Sequence, residues 1–393
     1  MAHVLLVGGH EDTVGRITST GVKLTVFQSR AMATPQQVES ATRLFVFNYE
    51  DLNETLQLAR AVHAVEPVSA ALSFTEYGLE PAAAVCEALG VPGNPPGAVR
   101  ATRDKVEMRR LLAGGDVGTT RFSECPSFEH LERFHAEISG PLILKPARGS
   151  GSEGVSMVRD GQGLRAAWDR SSAAGVLPLM AEEFIDGEEI SVETQSVDGR
   201  HEVVAITEKL TTGEPGFVEV GHQMPARFDP SEAERISACV LRFLDRIGHR
   251  HGPAHTELRL SSRGPRIIES NTRPGGDFIW ELALLTRGVD FVKETVRALV
   301  GLPQEPRRPV AEAAAVRFFA VDGGALQAIE GLDEARAMPG VVRVSCSAKP
   351  GDALGPILSS DSRQGYVIAT GASREEAISR ASAAHARVRF VRA

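Results

Sequence analysis

The first hundred residues alternate between short apolar runs and stretches with helical periodicity. Apolar runs at residues 3–7, 22–27, 44–47 and 68–74 predict strands, and the periodic stretches at residues 52–64 and 79–89 predict helices. Strands that alternate with helices are typical of a parallel sheet covered by helices. Three prolines, at positions 92, 95 and 96, then interrupt the pattern. This part of the chain is therefore predicted to form one α/β domain.

The length, charge and cysteines of the chain narrow its class. Its 393 residues are too many for one ordinary core and predict two or three packed units. A net charge of −8 without a basic tract argues against a nucleic-acid partner. No apolar run approaches the roughly 20 residues that span a bilayer, and the first nine residues do not resemble a signal peptide. The four cysteines are widely spaced, as is usual for thiols in a reducing compartment. We therefore expect a cytoplasmic protein without membrane association.

A lysine ends the apolar strand at residues 142–146, and a glycine-rich loop follows it. The backbone N–H groups of such a loop can close over phosphate oxygens. A Walker A loop carries its lysine inside the loop and is followed by a helix, whereas here Lys145 comes first and a strand, residues 155–158, follows. The loop residues predicted to contact phosphate are Gly149, Ser150, Gly151, Ser152 and Gly154. The alternative is a glycine-rich hairpin turn, which the loop alone supports equally well.

An acidic segment, residues 179–193, contains four glutamates within eight positions beside apolar strands. Buried strands do not usually carry so many acids. Taken alone, the segment is best interpreted as the solvated edge of a sheet.

The segment 255–271 alternates as two strands joined by a polar turn. Side chains two apart share one face of a strand, so Glu269 and Asn271 lie on one face. With the turn centred on Arg263, Glu257 lies directly opposite Glu269, and two facing carboxylates repel each other. A hard dication with oxygen ligands would offset this cost, and two glutamates with an asparagine form a magnesium-type set. The alternative is a register shifted by one residue, with the acids facing water.

An arginine, Arg273, follows this hairpin and precedes a predicted helix at residues 278–285. An arginine just before a helix N-terminus is well placed to hold an anion. Beside magnesium, that anion would be a phosphoryl group in transfer.

With these motifs in this order, the chain resembles the ATP-grasp superfamily along essentially its whole length, and within it the L-amino acid ligases that make dipeptides. The resemblance implies an ATP-grasp fold with an N-terminal Rossmann-like domain, residues 1–100, and an ATP-grasp core, residues 101–305. Within the core it implies a lid unit at about residues 115–185 and a metal-bearing unit at about residues 186–305. Residues 306–393 match the C-terminal α/β extension of those ligases.

The resemblance also assigns roles at the nucleotide and metal. Lys105, which is expected in a helix over residues 103–113, and Lys145 are similar to the two family lysines that reach the phosphates. The residues that match the adenine hinge and the ribose-binding acid are Glu182, Glu183, Phe184, Ile185 and Glu189. Those that match the ligands of magnesium, expected as two ions that Mn²⁺ can replace, are Glu257, Glu269 and Asn271. Arg273 matches the catalytic arginine that steadies the acyl phosphate.

The resemblance also implies substrate-facing residues. Glu219 and His222, three apart on a predicted loop, resemble a pair at the substrate, and Glu76 resembles a substrate-facing acid of the first domain. Each has the alternative of a solvated side chain. Gly276 and Asp277 occupy the place where relatives carry a group that limits the pocket. Asp277 either binds a cationic group or caps the following helix, and the cap is favoured.

The resemblance implies a ligase. ATP would phosphorylate a carboxylate, such as that of an amino acid, and an amine would attack the acyl phosphate to give an amide or dipeptide, ADP and phosphate. Glu219, His222 or Glu76 would accept the amine proton, and the sequence does not choose among them. The alternatives are a carboxylase or formyl-transferring enzyme that uses a small acid, and a nucleotide-binding scaffold without turnover. Small-molecule substrates and a homodimer are the expected partners.

Overall fold

The computed structural model describes residues 1–115, 117–118, 120–149, 151, 153–173, 177–214 and 217–392. Its N-terminal elements are β1 (His3–Val7), α1 (Glu11–Thr18), β2 (Lys23–Gln28), α2 (Pro35–Ser40), β3 (Arg43–Val46), α3 (Leu52–Val65), β4 (Ala70–Leu72), α4 (Leu79–Leu89) and α5 (Pro96–Arg103). The strands form a parallel sheet in the order β3-β2-β1-β4. Val4, Leu5, Leu6 and Val7 of β1 are fully buried beneath the helices. The predicted parallel sheet is confirmed.

The next unit is a small antiparallel sheet with helices. Its elements are α6 (Lys105–Leu112), β5 (Phe122–Cys125), α7 (Phe128–Ile138), β6 (Leu142–Pro146), β7 (Ser156–Val158), α8 (Leu164–Ala173) and β8 (Leu179–Glu183). The strand order is β5-β8-β6-β7. The helix predicted from residue 103 is wrong at its start: Asp104 is extended, ends α5, and caps α6 by accepting from the N–H groups of Val106 and Glu107. Lys105 therefore lies in the first turn of a new helix.

The rest of the chain forms a larger antiparallel sheet and, within the C-terminal extension, a separate three-stranded sheet. The core supplies β9 (Glu188–Val197), β10 (Arg200–Thr211), β11 (Glu219–Met224), α9 (Pro230–Ile247), β12 (Gly252–Ser261), β13 (Gly264–Asn271), α10 (Ile279–Arg287) and α11 (Phe291–Leu299). The C-terminal extension supplies β14 (Ala313–Phe319), β15 (Gly324–Glu330), α12 (Leu332–Arg336), β16 (Val341–Cys346), β17 (Ala353–Leu354), β18 (Gly365–Gly371), α13 (Arg374–Arg387) and β19 (Arg389–Arg392). One continuous sheet, here called the long sheet, runs in the order β13-β12-β9-β10-β11-β14-β18-β16.

Apolar spacing explains how helices cover the long sheet. In α9, Ile236, Val240 and Phe243 recur at intervals of three and four residues and pack with Val192 and Leu258 of the sheet. In α13, Ala377 and Ala381 pack against alanines of β14 and β18, and Ala384 packs with Phe319 and Val367 of the same strands. Within the described ranges, no helix is long and apolar enough to cross a membrane.

A buried histidine at the end of α9 links stability to pH. His249 is enclosed in the protein and stacks on His201 at 5.9 Å between ring centroids, and burial lowers its pKa to about 3. The folded protein thus keeps His249 neutral while the unfolded chain protonates it below about pH 6.5. Stability from this group is present above pH 6.5 and is lost as pH falls towards 3, by about 1.4 kcal/mol per pH unit.

We expect His249→Gln to flatten the pH dependence of the unfolding free energy between pH 4 and 6.5, as measured by urea denaturation. His10→Gln, at an exposed side chain just before α1, is the control and should keep the wild-type slope. An unchanged slope in His249→Gln would contradict the assignment.

Candidate active site

Strands β12 and β13 pair so that Glu257 faces Glu269 and His255 faces Asn271, which confirms the predicted register. Lysines lie close to both carboxylates. Lys105 Nζ is 2.9 Å from Glu269 Oε2, and Asn271 Nδ2 donates to Glu269 Oε1 at 3.2 Å. Among the residues described, no three His, Cys, Asp or Glu side chains form a ready-made metal site. Glu257, Glu269 and the Asn271 amide are an open set of oxygen donors rather than a complete ligand shell.

His255 lies between the carboxylates of Glu257 and Glu193 and contacts both. His255 Nδ1 lies 2.8 Å from Glu193 Oε1, and His255 Nε2 lies 3.1 Å from Glu257 Oε1. Burial opposes the charged imidazole, but Glu193 and Glu257 outweigh it and raise the pKa of His255 to about 9. Glu193 was missed by the sequence analysis. It faces His255 where β9 pairs with β12. That strand pairing was not predicted from the sequence, so nothing marked Glu193 as a site residue.

A buried lysine on β10 joins three carboxylates. Lys209 Nζ lies 2.7 Å from Glu257, 2.9 Å from Glu189 and 3.3 Å from Glu219, and only 1% of its side chain is exposed. Burial opposes its charge, but the three carboxylates raise its pKa well above the usual range. Glu189 also binds Arg259 at 2.9 Å. Lys209 had no predicted role, and its only signal was the scarcity of lysine in the chain.

The second predicted phosphate lysine lies in a buried ion-pair network. Lys145 contacts the carboxylate of Glu182, which also accepts from Arg109 Nε at 3.0 Å and Nη2 at 2.7 Å. Burial lowers the pKa of Lys145, and Glu182 only partly offsets it. Although burial opposes ionisation of Glu182, Arg109 and Lys145 lower its pKa. The Glu182 side chain thus orients Lys145, and only its backbone remains available to a ligand.

One cavity brings most predicted nucleotide residues together. Its lining includes Lys105, Lys145, Gly149, Gly151, Glu182, Glu183, Phe184, Ile185, Glu189, Glu219, Glu257 and Glu269. The Phe184 and Phe217 rings stack at 6.3 Å, and the Arg259 guanidinium lies 5.3 and 5.1 Å from their centroids. Gly154 does not line this cavity; its carbonyl accepts from Ser171 Oγ at 2.6 Å. Ser150 and Ser152 lie outside the described residues.

A second cavity, of about 820 Å³, lies between the N-terminal domain and the segment that follows β13. Glu76, Arg273 and Gly276 all line it. Arg273 Nε donates to Glu76 Oε2 at 2.5 Å, and Arg103 donates to the other oxygen of Glu76. Burial opposes ionisation of Glu76, but Arg273 and Arg103 outweigh it and lower its pKa. Glu76 is thus a paired anion that holds Arg273, which makes it a poor proton acceptor.

The predicted loop position of Glu219 and His222 is wrong. Both residues lie on β11, which pairs with β10 on one side and β14 on the other. The sequence Glu-Val-Gly-His has a single large apolar residue, Val220, and therefore gives no strand signal. Glu219 Oε2 accepts from Ser360 Oγ at 3.0 Å. His222 is fully buried, with Nε2 3.6 Å from Asp277 Oδ2.

The favoured role of Asp277 as a helix cap is also wrong. Helix α10 begins at Ile279, and Phe278, in a left-handed conformation, precedes it without a side-chain cap. The Asp277 carboxylate instead accepts from Arg363 Nη1 at 2.8 Å and Nη2 at 2.6 Å. Asp277 therefore binds a cation of the protein itself. That partner is 86 residues away, beyond the reach of local sequence patterns.

Comparisons with known proteins agree with this geometry. Family models match residues 18–93 (ATP-grasp N-terminal domain), 138–281 (ATP-grasp domain) and 317–393 (L-amino acid ligase C-terminal domain 2). The uncharacterized protein y4rH of Sinorhizobium fredii is 30% identical over 306 residues, which are 75% of this chain and 62% of that protein. Alanine–anticapsin ligase of Bacillus subtilis is 28% identical over 225 residues, 51% of this chain and 47% of that protein.

A solved structure shows the same fold. The L-amino acid ligase from Bacillus licheniformis superposes with a TM-score of 0.84 at 24% sequence identity, covering 100% of this chain and 99% of that one. By contrast, the chain spans less than two thirds of the length of either relative above.

Proposed function

Because this chain belongs to the ATP-grasp superfamily and carries an L-amino acid ligase C-terminal domain, we propose that it phosphorylates a carboxylate with ATP and joins it to an amine. One observation carries the proposal. Strand β13 leads from one cavity to the other: Glu269 lines the nucleotide cavity, and Arg273, four residues later, lines the larger cavity. A phosphoryl donor and its acceptor can thus meet at the end of one strand.

The oxygen donors of Glu257, Glu269 and Asn271 fit magnesium. Mg²⁺ usually binds one or two carboxylates and completes its shell with water and substrate phosphates, so an open protein set suits it. When bound, Mg²⁺ or Mn²⁺, as two ions, would neutralise charge on the phosphoryl oxygens. Lys209 and Lys105 occupy the carboxylates in the structure and would share them with the metal.

The nucleotide would lie in the first cavity. The backbone of residues 182–185 would hold the adenine, Phe184 and Phe217 would pack on it, and Glu189 would bind the ribose. Lys105 and Lys145 would hold phosphate oxygens, and the loop 149–154 would close over them. Closure would exclude water, which otherwise hydrolyses an acyl phosphate.

The substrate carboxylate would attack the γ-phosphorus of ATP from the larger cavity. Arg273 would bind first the acyl phosphate and then the oxyanion that forms when the amine attacks the acyl carbon. Glu76 positions Arg273 and is not proposed as the proton acceptor. Glu219 pairs with Lys209, and His222 is fully buried beside Asp277, so neither is assigned as the acceptor of the amine proton.

We further propose that both substrates are amino acids and that the product is a dipeptide. The L-amino acid ligase domain supports this, as does a relative named as a ligase of alanine and anticapsin. The cavity of about 820 Å³ falls within the range of ordinary small-molecule sites and has room for both substrates.

Phosphate release from Mg·ATP, measured across a grid of amino acid pairs and small carboxylic acids, tests the proposal. We expect release that requires both an amino acid and an amine partner, with one amide formed per ADP. Release with bicarbonate or formate alone would instead indicate a carboxylase or a formyl-transferring enzyme. Binding of ATP without release under any condition would indicate a scaffold.

A further inference from the structure

The C-terminal extension reaches the substrate side of the site through one turn, residues 360–363. Arg363 binds Asp277 through two hydrogen bonds, and its Nη1 also donates to the Glu219 carbonyl at 3.0 Å. Ser360 Oγ donates to the Glu219 carboxylate at 3.0 Å. Asp361, in the same turn, lines the 820 Å³ cavity. The turn thus contacts Asp277, which directly follows the cavity residue Gly276, and Glu219, which lines the nucleotide cavity.

Arg363 is itself held in place. Its Nε donates to the Ser360 carbonyl at 2.7 Å, its guanidinium lies 3.8 Å from the Phe318 ring centroid, and 8% of its side chain is exposed. A planar guanidinium stacked on a ring and bonded through three nitrogens has little freedom left. Such a side chain can transmit the position of the extension to its partners.

One partner of Arg363, Asp277, belongs to a segment with an unusual backbone conformation. Asp277 and Phe278 have φ angles of +51° and +64°, which side chains other than glycine adopt rarely. They directly follow Gly275 and Gly276, which line the cavity beside Arg273. The extension supplies contacts to both residues: Arg363 binds Asp277, which His222 also approaches at 3.6 Å, and the Tyr366 ring lies 4.0 Å from the Phe278 ring.

We propose that Arg363 is a positioning residue: it fixes the segment 273–278 and Glu219, and through them the C-terminal extension determines how the substrates bind. The inference rests on the ligase function proposed above. It assigns to the extension a part in substrate binding rather than in nucleotide binding. Arg363 reaches Glu219, which lines the nucleotide cavity, only at its backbone carbonyl, and within the described structure it contacts neither the adenine hinge nor the two phosphate lysines.

Steady-state kinetics of Arg363→Ala and Arg363→Lys test the inference. We expect Arg363→Ala to raise the KM for the amino acid substrates about tenfold or more, because Asp277 loses a two-bond charged partner. The KM for ATP should stay within about twofold of wild type. Arg363→Lys should recover part of the loss, because it keeps the charge but not the fork.

The control is Arg389→Ala, which removes an ion pair with Glu330 in the same extension at a side chain that is 75% exposed. It should match wild type in every constant. The inference would be overturned by an equal rise in both KM values together with a lowered Tm, or by no change in either KM value. An active wild type would still uphold the ligase proposal. A wild type that releases no phosphate with any pair would overturn the ligase proposal and, with it, this inference.

Discussion

Glu269→Gln should lower the rate of ATP-dependent phosphate release by about 10²–10³-fold. The substitution preserves size but removes one of the two facing carboxylates, so the site would hold a dication less tightly and Lys105 would lose the partner at 2.9 Å. The measurement is phosphate release at saturating substrates over a range of Mg²⁺ concentrations. We expect the lost activity to be recovered only in part at high Mg²⁺.

The matched control is Glu202→Gln, the same change in a glutamate of β10 whose carboxylate pairs with Arg307 and is half exposed. It lies outside both cavities and should leave the rate within about twofold of wild type. A Glu269→Gln enzyme with wild-type rates at every Mg²⁺ concentration would remove Glu269 from the metal set.

Arg273→Lys should lower kcat by about 10²-fold, and Arg273→Met by about 10³-fold. Lysine keeps the charge but cannot bind Glu76 and a substrate oxygen with the fixed geometry of the guanidinium. We also expect the variants to form more ADP than amide, because a poorly held acyl phosphate is hydrolysed. The measurement is the ratio of ADP to amide together with kcat.

Arg266→Lys, on the strand that precedes Arg273, serves as the control, because Arg266 lines neither cavity and donates to the Arg263 carbonyl. It should keep the wild-type ratio and rate. Arg273 variants that lose only ATP affinity, with a normal ADP-to-amide ratio, would assign Arg273 to the nucleotide rather than to the acyl group.

Local pattern predicted those parts of the site whose partners are close in sequence. The facing of Glu257 and Glu269 follows from alternation and a short turn, and both residues are on one hairpin. The parallel N-terminal sheet likewise follows from alternating strands and helices, because each strand is buried by its sequence neighbours. In both cases, contacts a few residues away determine the structure.

Residues held by distant partners could not be predicted in this way. In the sequence, Lys209 is an ordinary lysine of a strand. Its place in the site follows only from the other strands, which bring Glu189, Glu219 and Glu257 to it. Asp277 has a suitable position for a helix cap. Its observed role as the partner of Arg363 depends on the extension, which lies far away in the sequence. The order of strands in a sheet is a long-range property that periodicity does not encode.

The place of β11 in the long sheet affects how a new chain is made. Strand β11 lies between β10 and β14, and β14 is synthesised well after β10 and β11. Until then β11 is an open edge whose free N–H and C=O groups can pair with another nascent chain. This edge is therefore exposed from the synthesis of β11 until that of β14. A ribosome stalled in that interval would leave β11 unpaired on this side.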